Sequence, residues 1–126
     1  MTMERATYRI VYSGDVAPRL HIPGDRWPCP VVDCSETGVR LVRARGETRR
    51  IASGQRVAGV VEFCNGARVE VSGRVVRIQG SEIALHLDQQ PIPFPDIIRE
   101  QIYLRRHHQV QRTIEAGDPV DRRRIM

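Results

Sequence analysis

Lysine is absent from this 126-residue chain, and all 20 of its basic side chains are arginine. Aromatic residues amount to only 5%. Rings on which single-stranded bases would stack are therefore scarce, which counts against a specific nucleic-acid platform. Cysteine occurs three times, as Cys29, Cys34 and Cys64. The odd count and the lack of any CxxC spacing argue against a disulfide framework and against a structural zinc site. Adjacent His107 and His108 would point ~100° apart on a helix, too far to share a metal. His21 and His86 sit on the polar phase of alternating runs, so neither a metal nor a cofactor is expected. No apolar run approaches the ~18–20 residues of a membrane helix. The opening Glu4, Arg5 and Arg9 are followed by no apolar signal-peptide core. The expectation is a cytoplasmic chain with reduced thiols and no membrane insertion. No P-loop or nucleophile–base pair is visible, and Ser35 has no evident histidine partner, so an enzyme is not expected.

The chain has material for a core, being 40% hydrophobic, and its length suits one domain. Net charge is +5 and the sequence pI about 9.8, which favours an anionic partner without matching a dedicated DNA coater. Genome base composition is one account of the arginine-only cation set. Guanidinium chemistry is the other, since its flat fork binds phosphate and the O6/N7 edge of guanine through paired hydrogen bonds and stacks on rings.

The middle of the chain alternates apolar and polar residues as strands do. Asp15 to Ile22, Val31 to Ser35, Val39 to Arg43, Val57 to Phe63 and Glu82 to Asp88 read this way. Cys64-Asn65-Gly66-Ala67 carries the Asn-Gly pair of a two-residue hairpin turn. Ala67, Val69 and Val71 then share a face, and Gly73 precedes a change of phase to Val76 and Ile78, which predicts a bulge. Many short strands suggest a small barrel or sandwich. After Pro91, Pro93 and Pro95 the period becomes helical, from about Asp96 to Glu115. Its apolar stripe takes in Ile97, Ile98, Ile102, Leu104 or Tyr103, and later Val110 and Ile114. Trp27, in a Pro-rich loop, is either a partner contact or a cover over one barrel end. Arg122-Arg123-Arg124 lies in a frayed tail.

Two short patterns carry chemistry. Arg5 and Arg9 are four apart before the first β segment, so an extended chain puts both forks on one side, ~13 Å apart. RxxxR also arises by chance in so arginine-rich a chain. Asp33-Cys34-Ser35-Glu36-Thr37-Gly38 follows, with Asp33 and Ser35 on one strand face ~6.6 Å apart and Val32 and Cys34 on the other. A carboxylate there can accept from the ring N–H and exocyclic amine of a guanine, and the hydroxyl either donates or accepts. Gly38 permits a tight turn or close approach of a ligand. The same stretch also reads as an ordinary polar turn.

Together, 24 residues apart, these patterns resemble the signature of the PilZ domain family, RxxxR followed by [D/N]xSxxG. Val39 departs from it, where many members carry a second glycine. The resemblance implies an all-β architecture, or β with one helix: a six-stranded antiparallel β-barrel followed by a C-terminal α-helix. The domain would span residues 1–115, with an arm at 1–9, the barrel at 10–90 and the helix at about 96–115; residues 116–126 would be a flexible tail. It also implies a bacterial receptor for the second messenger cyclic di-GMP. Arg5 and Arg9 would hold phosphate and guanine Hoogsteen edges, Asp33 and Ser35 the other guanine, and Gly38 would clear space. Arg40 and Arg77 are further candidates for the same ligand. Signalling would come from ordering of the N-terminal arm and altered contact with a protein effector, in a monomer or weak homodimer. Two other readings remain: a small basic β-barrel binding RNA or single-stranded DNA, and a ligand-free PilZ-like protein-interaction module.

Overall fold

A computed structural model describes residues 8–13, 15–43 and 50–107. Among these, alternation of buried and exposed positions has produced seven strands and one helix. They are β1 (Ile10–Val11), β2 (Arg19–His21), β3 (Cys29–Cys34), β4 (Gly38–Val42), β5 (Arg56–Glu62), β6 (Arg68–Gln79), β7 (Glu82–Gln90) and α1 (Phe94–His107). Strands β3, β2, β5, β6, β7 and β4 pair in that order, all antiparallel, and β4 returns to β3. The result is a closed six-stranded barrel, which leaves no open edge among these strands. The extra strand β1 lies beside β3, with Ile10 opposite Cys34 and Val11 opposite Asp33. Segment β2 is shorter than the alternation from Asp15 suggested. Pro18 has no N–H to give a ladder, and the strand starts after it.

The inward positions form one core that includes Leu20, Val31, Cys34, Leu41, Val61, Val75, Leu85 and Leu87. Burying each such aliphatic side chain contributes roughly 1.5–3 kcal/mol. Close strand crossing fixes the identity of Gly73. A β-carbon there would collide with the His86 carbonyl oxygen, so the two strands approach at this point only because the side chain is missing.

Three local expectations need correcting. The hairpin after β5 is a three-residue loop. The Phe63 N–H donates to Ala67 O at 2.9 Å and the Gly66 N–H to Phe63 O at 3.0 Å. Gly66 has φ 95°, as a turn followed by a left-handed residue requires. Strand β6 keeps its inward phase through Gly73 to Val75, and Val76 and Ile78 point outward, 47% and 41% exposed. The irregularity is real, but it shifts the register between Ser72 and Arg74 and between Val75 and Arg77 without turning Val76 inward. Third, β3 has a bulge between Val31 and Asp33. Val31 and Cys34 therefore both face the core, and Val32 does not share the Cys34 face.

Helix α1 begins at Phe94, two residues before the expected start, and the residues beyond His107 lie outside the described region. Pro95 suits a first turn, where no N–H partner is needed. Asp96 in the first turn and Arg105, Arg106 and His107 in the last complement the helix dipole. The buried stripe is Ile97, Glu100, Gln101 and Leu104, while Ile102 is 47% exposed. Glu100 is fully buried, and its carboxylate is hydrogen-bonded on both oxygens. Oε2 accepts from the Tyr12 hydroxyl at 3.0 Å and the Cys64 N–H at 3.0 Å. Oε1 accepts from the Asn65 N–H at 3.1 Å and Asn65 Nδ2 at 2.9 Å. One carboxylate thus ties α1 to the β5–β6 loop and to the residue following β1. Burial pushes the Cys34 thiol up to about 12 and raises Cys64 as well, with Glu100 adding to both; both thiols stay protonated near neutrality.

Glu100→Ala would strand four donors in the interior. The expected loss is about 3 kcal/mol of unfolding free energy by urea titration, with Glu100→Gln recovering part of it. A change below about 0.5 kcal/mol would show the network to be dispensable.

Candidate functional site

The bulge in β3 decides which way Asp33 points. Without it, the alternation of Cys29 and Val31 would continue inward to Asp33. With it, Val31 pairs with Leu41 inside, Asp33 with Arg40 outside, and Cys34 with Val39 inside. Direct cross-strand pairing brings opposite charges together. Arg40 donates from Nε at 2.9 Å, and from Nη2, to Asp33 Oδ2. On the other side of β3, Arg9 precedes inward-facing Ile10, and its Nη1 donates to Asp33 Oδ1 at 2.7 Å. Both carboxylate oxygens are therefore occupied by guanidinium. These two forks cover Asp33, whose side chain is 4% exposed while those of Arg9 and Arg40 are 46% and 34% exposed. Arg40 also reaches Glu82 Oε1 from Nη1 at 3.0 Å. Its hydrogen bonds to Asp33 and then Glu82 hold its pKa above the ordinary arginine value.

Strand register extends this row across the barrel. Arg40 is opposite Ala84 on β7, and Ala84 is opposite Arg77 on β6. A small residue thus separates two long cations, with their backbones about two strand spacings, ~10 Å, apart. The adjoining row runs from Gly38 to His86 to Arg74. Between the rows opens a cleft of about 500 Å³ lined by Arg9, Asp33, Gly38, Arg40, Arg77 and His86, with Thr37, Val76 and Ala84 among the remaining wall residues. Small-molecule sites run to ~300–1,000 Å³, so the space is of ligand size, and its charged wall is dominated by arginine.

Of the candidates named from the sequence, Arg9, Asp33, Gly38, Arg40 and Arg77 converge on this cleft. Ser35 does not line it; it is buried, 3% exposed, with its N–H donating to Gly38 O at 2.8 Å. Arg5 lies outside the described residues. Gly38 is not among the glycines with positive φ, and a β-carbon there would find ordinary contacts, 3.6 Å from Ser35 Oγ and 3.9 Å from Arg9 Nη2. Its bareness keeps the cleft floor open; it is not demanded by a turn. Thr37, Val76, Ala84 and His86 were missed. Outward alternation in β7 singles out Ala84 and His86 as a pair, but nothing local says that β4 lies beside them.

The PilZ domain family profile matches residues 4–104. The chain belongs to the PilZ domain family. That span covers most of the sequence and contains every candidate residue. PilZ domains are of the cyclic di-GMP-binding type and serve as binding and adaptor modules. No curated protein and no solved structure matches this PilZ chain. Among its described residues no group of three or more His, Cys, Asp or Glu side chains is placed to hold a metal, and no helix is long and apolar enough to cross a membrane.

Asp33 is covered but its partner Arg40 remains about one-third exposed, and Asp33 keeps Arg9 as a second partner, so the coupling should be modest. A double-mutant cycle with Asp33→Ala and Arg40→Ala, read by thermal unfolding, is expected to give about 1 kcal/mol that shrinks as salt is raised. Zero coupling at low salt would mean that Asp33 is held out by the bulge alone.

Proposed function

We propose that this protein is a bacterial cyclic di-GMP receptor that signals to a protein effector, and that the cleft over Ala84 is where the dinucleotide sits. The observation that supports this most directly is the convergence of Arg9, Arg40 and Arg77 on one open surface beside Asp33, in a chain whose family binds this class of ligand. The ligand is a dianion carrying two guanines, and each group in the cleft suits part of it. Guanidinium forks bind phosphate or a guanine O6/N7 edge in bidentate fashion and stack on purine faces. No Phe, Tyr or Trp among the described residues lines the cleft, so stacking falls chiefly to arginine.

Asp33 gives the binding event its mechanism. Its oxygens accept from Arg9 and Arg40. An incoming phosphate competes for the same two forks, and a guanine N1–H and N2 amine can replace them on the carboxylate. Binding is then an exchange in which the arginines pass from a carboxylate to phosphate and the carboxylate passes to guanine N–H donors, so that no buried charge is left without a hydrogen-bond partner. This limits the desolvation cost. Ser35, tucked behind Gly38, acts through the loop as well as through any contact of its own. Arg5 would close over the ligand from the N-terminal arm, and ordering of that arm would present a changed surface to the effector. Tyr8 already stands edge-on to Phe94 of α1, with ring centroids 5.9 Å apart, and Tyr12 bonds Glu100. A pull on Arg9 is therefore felt by the residues that touch the helix.

Isothermal titration with cyclic di-GMP tests the reading. Saturable heat at micromolar protein is expected. Arg9→Ala and Asp33→Ala should each weaken binding by about 10- to 100-fold, the worth of a charge-assisted hydrogen bond, while the fold survives. Absence of heat sinks the proposal. Equal binding of linear single strands with a steep salt dependence would favour the RNA or single-stranded DNA reading instead.

A further inference from the structure

His86 stands at the junction of the cleft, and neither the signature motifs nor the proposal above uses it. It is exposed on the outer face of β7, with Gly38 opposite it on β4 and Arg74 opposite it on β6. Gly38 carries no side chain, so the imidazole borders the open cleft on the β4 side. The charged groups around it can be named strand by strand. Arg74 and Arg77 come from β6, Arg40 from β4, Arg9 and Asp33 from the β1–β3 side, Glu36 from the turn before β4, and Glu82 and Asp88 from β7 itself. Three of the carboxylates are engaged with arginine: Asp33 with Arg9 and Arg40, Glu82 with Arg40, and Asp88 with Arg56 at 2.8 Å and Arg74 at 3.1 Å. Among the described residues the imidazole thus meets cations around the cleft mouth and, Glu36 apart, carboxylates whose charge is already matched. What would give a protonated ring a partner is an anion in the cleft.

We propose that His86 binds a phosphate of the dinucleotide as an imidazolium, taking up a proton from solvent as the ligand enters. The proposal rests on the cyclic di-GMP reading and adds to it a contact and a pH dependence. Imidazole is the side chain whose ordinary charge change falls between about pH 5 and 8. A phosphodiester anion within hydrogen-bonding reach favours the charged form. Binding and protonation are then linked. A complex that holds a proton more tightly than the free protein does gains affinity as pH falls. For each pH unit by which the ligand tightens that hold, affinity changes by up to about tenfold. Phosphodiester and guanine do not titrate in this range. Of the other histidines within the described residues, His21 pairs with Glu62 at 2.9 Å and His107 stacks on Tyr103 at 4.4 Å; neither lines the cleft.

Titration calorimetry with cyclic di-GMP at about pH 6 and about pH 8, at fixed ionic strength and in buffers of different ionisation enthalpy, tests this. For the wild-type protein, affinity should rise about tenfold at the lower pH, with net proton uptake. His86→Gln should show one affinity at both pH values and no proton uptake. His86→Arg, charged at either pH, should bind independently of pH and close to the wild-type value at the lower pH. Thermal unfolding checks that both variants are folded, the outcome expected for an exposed position. Binding of the wild-type protein with the same affinity at both pH values, or a pH slope that persists in His86→Gln, overturns the role of His86 and leaves the ligand reading intact. No binding at either pH overturns both.

Discussion

Everything at the candidate site depends on one extra residue in β3. The barrel closes because β4 returns to β3, and the two strands pair with a bulge between Val31 and Asp33. Regular pairing would aim Asp33 into an interior of valine, leucine and isoleucine, where an ionised carboxylate is prohibitively costly to desolvate. The bulge turns Asp33 to the outer face and Cys34 to the inner one, so that core and site are satisfied together. Bulges gather at such places because they re-aim a side chain without giving up the ladder on either side.

From that placement the electrostatics follow. Asp33 is nearly covered, but by cations that remain partly in water. Solvent keeps the arginines' desolvation small, and the carboxylate keeps them pointed at the cleft. Glu82 extends the arrangement by fixing the far end of Arg40. The arginines are thereby held in place along the cleft wall. A second carboxylate, Glu100, does the opposite kind of work. It is sealed inside by backbone and side-chain donors and locks α1 against the barrel. The short segment from Tyr8 to Tyr12 touches both systems, with Arg9 on the outer face and the two tyrosines against the helix.

Much of this was legible in the sequence. Alternation located the strands, Asn65-Gly66 located a reversal, the prolines marked the passage from barrel to helix, and the spacing of Arg5, Arg9, Asp33 and Gly38 pointed to PilZ. The illegible parts share a cause. Val76 and Ile78 are apolar yet face outward, because register shifts and the inward phase of Gly73 and Val75 settle the matter. Glu100 is charged yet fully buried, because its four donors come from residues 35 to 88 positions away. Composition assigns each of these residues to the wrong environment, since side-chain polarity does not reveal who the neighbours will be.

The chain's alternation and turn chemistry by themselves determined a β-rich domain with a following helix. The two motifs determined which arginines and which carboxylate to watch among twenty cations. Only the tertiary structure decided that Arg40 and Arg77 flank Ala84, that His86 joins them, and that Ser35 stands behind Gly38. Those facts depend on β4 pairing with β7 and β7 with β6. Register between strands some forty residues apart is set by barrel closure and the packing of the whole core, and no local stretch of sequence carries it.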